Sequence, residues 1–221
     1  HSVDRTVADG GRVLVFNGRF VEGAPAVAPD EFAWLHLVLP GERRGQFYHG
    51  QVGAQGQREG LGTLYREDAE LDEAFVRCFE AGVPYVQEDG TEGAGAPQHV
   101  LYHGQFQGSL PHGEGIQHFS GLGSFVGQFK SGRRHGRGVW ASADGLWKYR
   151  PVLAEGVPNW EDDLMHGIAV VEDKDQVYEN VIFTQGRCPM LPAEAGPPLT
   201  SLGSAKDFFG SPAAGARPSA A

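Results

Sequence analysis

Cysteine is almost missing from this chain. Cys78 and Cys188 stand far apart, too few and too distant for a disulfide framework and without a CxxC metal pair, so a reducing compartment is the expectation. Long apolar runs are missing as well. The longest, FAWLHLVL at 32–39, holds a histidine and falls far short of the roughly 20 residues that a membrane-crossing helix needs; a soluble or peripheral protein is expected. Positive charge is scarce, with 18 Lys and Arg against 28 Asp and Glu and a net charge of −10. That balance repels nucleic acid and anionic bilayers at long range, and no nucleic-acid partner is expected.

Catalytic constellations are lacking in the same way. The run GLGSFVG at 121–127 has the wrong spacing for a dinucleotide loop and precedes a strand pattern rather than a helix. DFFG at 207–210 has none of the other kinase signatures around it. His112, His135 and His166 recur at one repeat position, but equivalent residues of successive hairpins lie two strands, roughly 9–10 Å, apart, too far for a zinc ion bound at about 2.1 Å. Cys188 precedes Pro189 without a nucleophile context. The expectation is a non-enzymatic chain with no catalytic residue, no metal site and no cofactor.

Glycine and aromatics are what the chain has in plenty: 33 Gly in 221 residues, about twice the usual share of roughly 7%, with thirteen Phe, six Tyr and four Trp. They fall in a pattern. YHGQFQGSLPHGEG at 102–115 and FVGQFKSGRRHGRG at 125–138 place Tyr102, Gly104, Phe106, Gly113 and Gly115 over Phe125, Gly127, Phe129, Gly136 and Gly138 at one constant offset. An earlier copy runs through Tyr48, Gly50, Val52, Gly60 and Gly62. Worn copies set Trp160 at the place of Phe129, with Asp163 and Ala169 in place of glycines, and two half-copies follow Phe16/Gly18/Phe20 and Tyr178/Asn180/Ile182. Good units are thus expected at 48–65, 102–121 and 125–145, and degenerate ones at 16–27, 156–173 and 178–187.

These motifs resemble MORN repeats, whose pattern is Tyr-x-Gly-x-Trp/Phe, a short turn and His-Gly-x-Gly in a unit of about 23 residues. The resemblance implies a β-hairpin repeat and a binding or scaffolding role, with protein partners or phospholipid surfaces.

Strand geometry leads to the same fold. Tyr102, Gly104 and Phe106 face one side and His103, Gln105 and Gln107 the other, and each glycine leaves a hollow for an aromatic from a neighbouring strand. Turn-rich stretches at 108–111 and 131–134 make each unit one hairpin. Stacked hairpins share a core that one alone lacks. The expected fold is mainly β, an elongated, twisted antiparallel meander of stacked hairpins over 1–190. One short helical insertion is expected at 68–81, where Leu71, Phe75, Cys78 and Phe79 share a face. A Pro/Ala/Gly-rich extended tail is expected at 191–221.

Three sets of binding residues follow. Tyr48, Tyr102, Phe106, Phe125, Phe129, Trp140 and Trp160 form an expected partner-binding groove. Lys130, Arg133, Arg134 and Arg137 form a basic patch suited to an acidic protein or a lipid headgroup. Leu199, Leu202, Phe208 and Phe209 are nominated as tail anchors. The function expected is a scaffold or accessory subunit binding protein neighbours in a large eukaryotic assembly, with a peripheral phospholipid-binding or membrane-tethering module as the alternative. The start at His1 rather than Met reads as trimming or processing, which leaves localisation open between cilium or cytoskeleton and an organelle, plastid or mitochondrion, after transit-peptide removal.

Overall fold

In the strand Val100–Gln107 every second side chain from Val100 onward is buried and His103, Gln105 and Gln107 are exposed, the alternation that a half-buried strand requires. The strand Gly123–Lys130 repeats it, with Phe125, Gly127 and Phe129 inside. The computed structural model describes the backbone of the strands between 2 and 46. With side chains it describes residues 47–53, 57–65, 100–119, 121–152, 156–189 and 191. The helix expected at 68–81 and the tail expected from 191 lie outside these residues, apart from Leu191. Among the described residues the fold is mainly β and holds no helix.

The chain divides into two compact units, one running to Leu110 and one beginning at Pro111. In the first, β1 (Ser2–Ala8), β2 (Arg12–Gly18), β5 (Ala33–Val38), β6 (Gly45–Val52), β7 (Arg58–Tyr65) and β8 (Val100–Gln107) pair in that order, each antiparallel to the next. A separate two-stranded piece joins β3 (Phe20–Val21) to β4 (Ala24–Pro25). In the second unit the order is β9 (Leu110–Phe119), β10 (Gly123–Lys130), β11 (Arg133–Ser142), β12 (Lys148–Pro151), β15 (Gly167–Glu172) and β16 (Val177–Phe183). The short strands β13 (Trp160–Glu161) and β14 (Leu164–Met165) hang off β11.

The repeats that begin at Tyr48 and Phe125 are each built on one ring over two glycines. Gly127 faces Gly138 across β10 and β11, and the Phe125 ring lies against both. A Cβ on Gly138 would fall within the edge of that ring, and one on Gly127 would meet the Arg137 carbonyl and come within 2.9 Å of Phe125 Cζ. Gly50 and Gly62 make the same pair under Tyr48. The glycine of the ring-x-Gly-x-ring stripe was expected to receive an aromatic from a neighbouring strand; instead its hollow is filled by the ring two residues earlier on its own strand, and it is the second glycine that is covered from across. The other glycine of Gly-x-Gly serves the backbone. Gly136 has φ 74°, a left-handed conformation that costs other residues roughly 1–2 kcal/mol. It creates a bulge opposite Gln128, and the Gln128 Oε1 accepts the freed Arg137 N–H at 3.0 Å. Gln51 does the same for Leu61 N–H at 2.7 Å.

The second ring of each repeat then packs edge-on against the first. Phe106 sits 5.1 Å from Tyr48 and 5.0 Å from Tyr102, and Trp160 sits 5.0 Å from Phe125 and 5.4 Å from Tyr149. Such pairs contribute about 0.5–1.5 kcal/mol each beyond area burial. Two-residue turns close the units, with both central residues at positive φ: Gly108–Ser109, Ser131–Gly132, Asp162–Asp163 and Gln185–Gly186. That is the turn whose twist matches paired strands.

Every second turn residue donates its N–H to a carbonyl of the preceding repeat. Ser109 bonds Arg58, Gly132 bonds Pro111, Asp163 bonds Arg134 and Gly186 bonds Met165, all at 2.8–2.9 Å. Pro111, Arg134 and Met165 each follow their own turn by the same interval, and Arg58 opens β7 at the matching place. The turns therefore form a ladder of their own beside the sheet.

Three sequence expectations need correction. The half-copy at 16–27 is not one strand, because Phe16 lies in β2 and Phe20 in β3, which belong to different sheets. In the unit at 178–187 the inward residues are Val181 and Phe183, while Ile182 is exposed. Asn180, at φ 55°, bulges the strand and shifts its register by one, which reverses every side chain beyond it. The worn unit at 156–173 begins earlier, at Tyr149. Tyr149 pairs with Val171 as Phe125 pairs with Trp140, and its hydroxyl bonds the Asn159 carbonyl at 2.7 Å. Tyr48 and Tyr102 bond Gln51 and Gln105 in the same way. Residues inserted between Tyr149 and Trp160 had broken the spacing.

Substituting Gly138→Ala is expected to cost about 2–3 kcal/mol, since the ring has no room to yield. Gly108→Ala, whose Cβ would meet nothing within 4 Å, is expected to cost only the left-handed backbone term, about 1 kcal/mol. Chemical denaturation of the two variants checks the order; equal losses would remove the ring-over-glycine packing as the reason for the second glycine.

Candidate functional site: the outer face and the turn ladder

The seven rings expected to line a partner-binding groove are interior. Tyr48, Tyr102, Phe106, Phe125, Phe129, Trp140 and Trp160 are all 3% exposed or less, so they form the core of the repeats and present no ring face to a neighbour. Hydrophobic burial is the physical reason, because aromatics placed on one face of stacked strands are taken out of water by each other.

The basic cluster is divided. Lys130 is exposed and Arg133 and Arg137 are partly so, with Arg133 3.5 Å from Asp162, a surface pair that contributes little. Arg134 goes inside. Its side chain is 2% exposed, its Nε donates to Asp163 Oδ1 at 3.2 Å and its Nη2 to the Asp163 carbonyl at 3.2 Å. The guanidinium lies over Trp160 at 5.0 Å and Phe119 at 5.3 Å. Burial pulls its pKa down and Asp163 opposes that shift. Arg58 repeats the theme over Phe106 at 5.6 Å. Arg134 therefore leaves the expected patch and serves the ladder, because its alkyl stem and planar head fill the slot between repeats.

Of the recurring histidines, His135 lies 3.7 Å from Asp162 and His166 3.5 Å from Glu161. Among the described residues no three His, Cys, Asp or Glu converge in a metal-binding group. The tail residues Leu199, Leu202, Phe208 and Phe209 lie outside the described residues.

Solvent meets the opposite face of each sheet. In the second unit Val126, 49% exposed, stands in register between Ile116 and Val139, and Ile168 faces Ile182 at 40% and 52% exposed. In the first unit the matching row is His49, Thr63 and His103 across β6, β7 and β8, of which His103 is exposed, His49 partly so and Thr63 buried. Thr63 Oγ1 and His103 Nδ1 are 2.8 Å apart. Burial pushes His49 down to about 4 and lowers His103 too. Sequence placed His103, Gln105 and Gln107 on this face but missed the exposed apolar Val126, Ile168 and Ile182. For His49, His103 and Val126 the signal was their shared place one residue after a first ring.

Two measurements bear on these groups. The unfolded chain protonates His49 near pH 6.5 and the folded chain only near pH 4, so the unfolded state binds more protons in that window. Stability is expected to fall as pH drops from about 6.5 to 4, by up to about 3 kcal/mol from this residue, and to stay level above 7. His49→Gln flattens that slope if the assignment holds; an unchanged slope in denaturation midpoints would reject it. Asp163→Gly is expected to lose about 3 kcal/mol by stranding a buried cation. Arg134→Met combined with Asp163→Gly rebuilds the Met165 and Gly186 pair of the next repeat and should recover most of that loss. A double variant as unstable as the single one would contradict the pairing.

No curated protein matches the chain. The family model described as the MORN repeat matches residues 48–68, 102–121 and 125–147, the segments in which ring, paired glycines and turn follow one another at the regular spacing. The chain therefore carries MORN-repeat matches at these three segments.

Proposed function

We propose that the chain is a non-enzymatic scaffold or accessory subunit that binds protein neighbours within a large eukaryotic assembly, ciliary or cytoskeletal, or an organellar photosynthetic or respiratory complex. One observation carries the reading. The repeat's own chemistry, its rings and Arg134, is spent inside the units, and the outer face keeps large apolar side chains in water at Val126, Ile168 and Ile182. Clustered exposed apolar side chains mark contact surfaces. A framework packed from within, whose outer face in the second unit carries exposed apolar side chains among polar ones, supports protein association over catalysis.

MORN repeats occur generally in protein-binding and lipid-binding scaffolds, so the alternative is a peripheral phospholipid-binding or membrane-tethering module. That reading draws on the basic turn, from which Arg134 is withdrawn and where Arg133 is matched by Asp162.

Gentle isolation of the endogenous protein, amine cross-linking and mass spectrometry test the proposal. Stoichiometric protein neighbours cross-linked through the exposed Lys130 and Lys148 are expected. Recovery without protein neighbours, together with flotation on anionic liposomes that Lys130→Glu abolishes, would overturn it in favour of the lipid module.

A further inference from the structure

Resting on the scaffold reading, we propose that the outer face of β9 to β12 binds an acidic amphipathic helix of a partner protein, laid across the row Ile116, Val126 and Val139. Val126 stands in register between Ile116 and Val139. It is 49% exposed and its two neighbours are partly exposed. One apolar side chain on each of three adjacent strands makes a row roughly 9–10 Å long. A helix presents residues i, i+4 and i+7 on one face over about 10.5 Å. Row and helix stripe match in length.

Charge sets the sign of the occupant. The chain as a whole carries −10, yet the outer face of these four strands holds five cationic side chains, Lys130, Arg133, Arg137, Lys148 and Arg150, and one carboxylate, Glu114. Their buried neighbours Phe129, Arg134, Gly138 and Tyr149 fix the cations on that face. Arg150 is paired with Glu172 at 2.6 Å and Arg133 with Asp162 at 3.5 Å, and Gln128 Nε2 donates to Glu114 at 3.0 Å. Among the described residues no carboxylate forms an ion pair with Lys130, Arg137 or Lys148. The surplus on the face is positive.

The pairing of β11 with β12 places this surplus on both flanks of the apolar row. Trp140 faces Tyr149 and Ala141 faces Lys148, so Arg150 comes beside Val139 and Lys148 lies to one side of it. Arg137 lies to the other side, toward the end of β10 at Lys130. Lys148 and Arg150 stand apart from 130–137 in sequence, and only the pairing adds them to the cluster. An apolar centre between cationic flanks is the complement of a helix whose apolar stripe runs between rows of Asp and Glu. A bilayer interface takes up Trp and Tyr rings, and the outer face of these four strands has no Phe, Tyr or Trp. The face therefore suits a protein helix over a lipid surface.

The probe is a hydrocarbon-stapled helix of two Glu-Leu-Glu-Glu-Leu-Ala-Glu heptads, titrated into the full chain and read by methyl NMR of isoleucine and valine. Shifts are expected at Ile116, Val126 and Val139, with a dissociation constant below about 100 µM at low salt and at least roughly fivefold weaker binding at about 300 mM salt. Arg137→Glu combined with Lys148→Glu should abolish the shifts, and Val126→Gln should weaken binding roughly tenfold, both at an unchanged melting temperature. The same helix with every Glu replaced by Lys should not bind.

Equal binding of the Lys helix, shifts confined to other methyls, or binding unchanged in the double charge variant would overturn the proposal. So would shifts of these methyls with chain concentration alone, which would give the face to a second copy. Absence of helix binding, with flotation on phosphatidylserine vesicles that the double charge variant abolishes, would give it to lipid. A failed titration with stoichiometric protein neighbours still recovered strikes this surface alone, whereas recovery without protein neighbours strikes the scaffold reading whatever the titration gives.

Discussion

Everything in this fold depends on the close approach of an aromatic ring to two facing glycines. Phe125 over Gly127 and Gly138, and Tyr48 over Gly50 and Gly62, leave no volume for a Cβ. Where the ring is tyrosine, its hydroxyl bonds a carbonyl of the same strand, as Tyr48 does to Gln51 and Tyr102 to Gln105. The ring is thereby fixed in depth as well as in direction. The next repeat's aromatic can then dock edge-on at about 5 Å, and the turn that follows it lands on a carbonyl of the repeat before. Stacking, register and turn position all descend from one packing choice.

The fourth repeat shows how far the arrangement tolerates insult. Its strand is interrupted between Tyr149 and Trp160, yet the Tyr149 hydroxyl still reaches the carbonyl one residue before the second ring, here that of Asn159. Asn159 replaces the glutamine of the other repeats and turns inward, where its amide exchanges two hydrogen bonds with the Gly138 backbone. Asp163, in a turn position that suits glycine, holds φ 76° and is repaid by bonds from Arg134. Each departure from the motif is compensated by a bond that the regular repeats do not need.

How much was legible in sequence follows from the same physics. The spacing of Tyr102, Gly104, Phe106, Gly113 and Gly115 against Phe125 to Gly138 gave strands, turns and inward faces, because period 2 and the glycine requirements are local. Burial of the rings was not legible as such. A stripe of aromatics reads the same whether a partner or the next repeat covers it, and only the stacked strands decide. Arg134 was misjudged because charge is visible in sequence while its partner, Asp163, lies a full repeat away. The register at Asn180 was lost to a bulge, which no pattern of apolar residues announces. The role of Gln51 and Gln128 went unseen, since a glutamine on the outer side of a strand looks like any solvated residue.

The central claim, that the first ring of each repeat is locked inside the sheet and, where it is tyrosine, tied by its hydroxyl to backbone, is tested most directly by ring-labelled tyrosine NMR across alkaline pH. Burial drives the Tyr48 and Tyr149 hydroxyls well above their ordinary value near 10. The account predicts that these two rings stay un-ionised for as long as the chain remains folded, and ionise only together with unfolding. Titration of either ring near pH 10 in the folded chain would place it in water and contradict the packing on which the rest of the structure is argued.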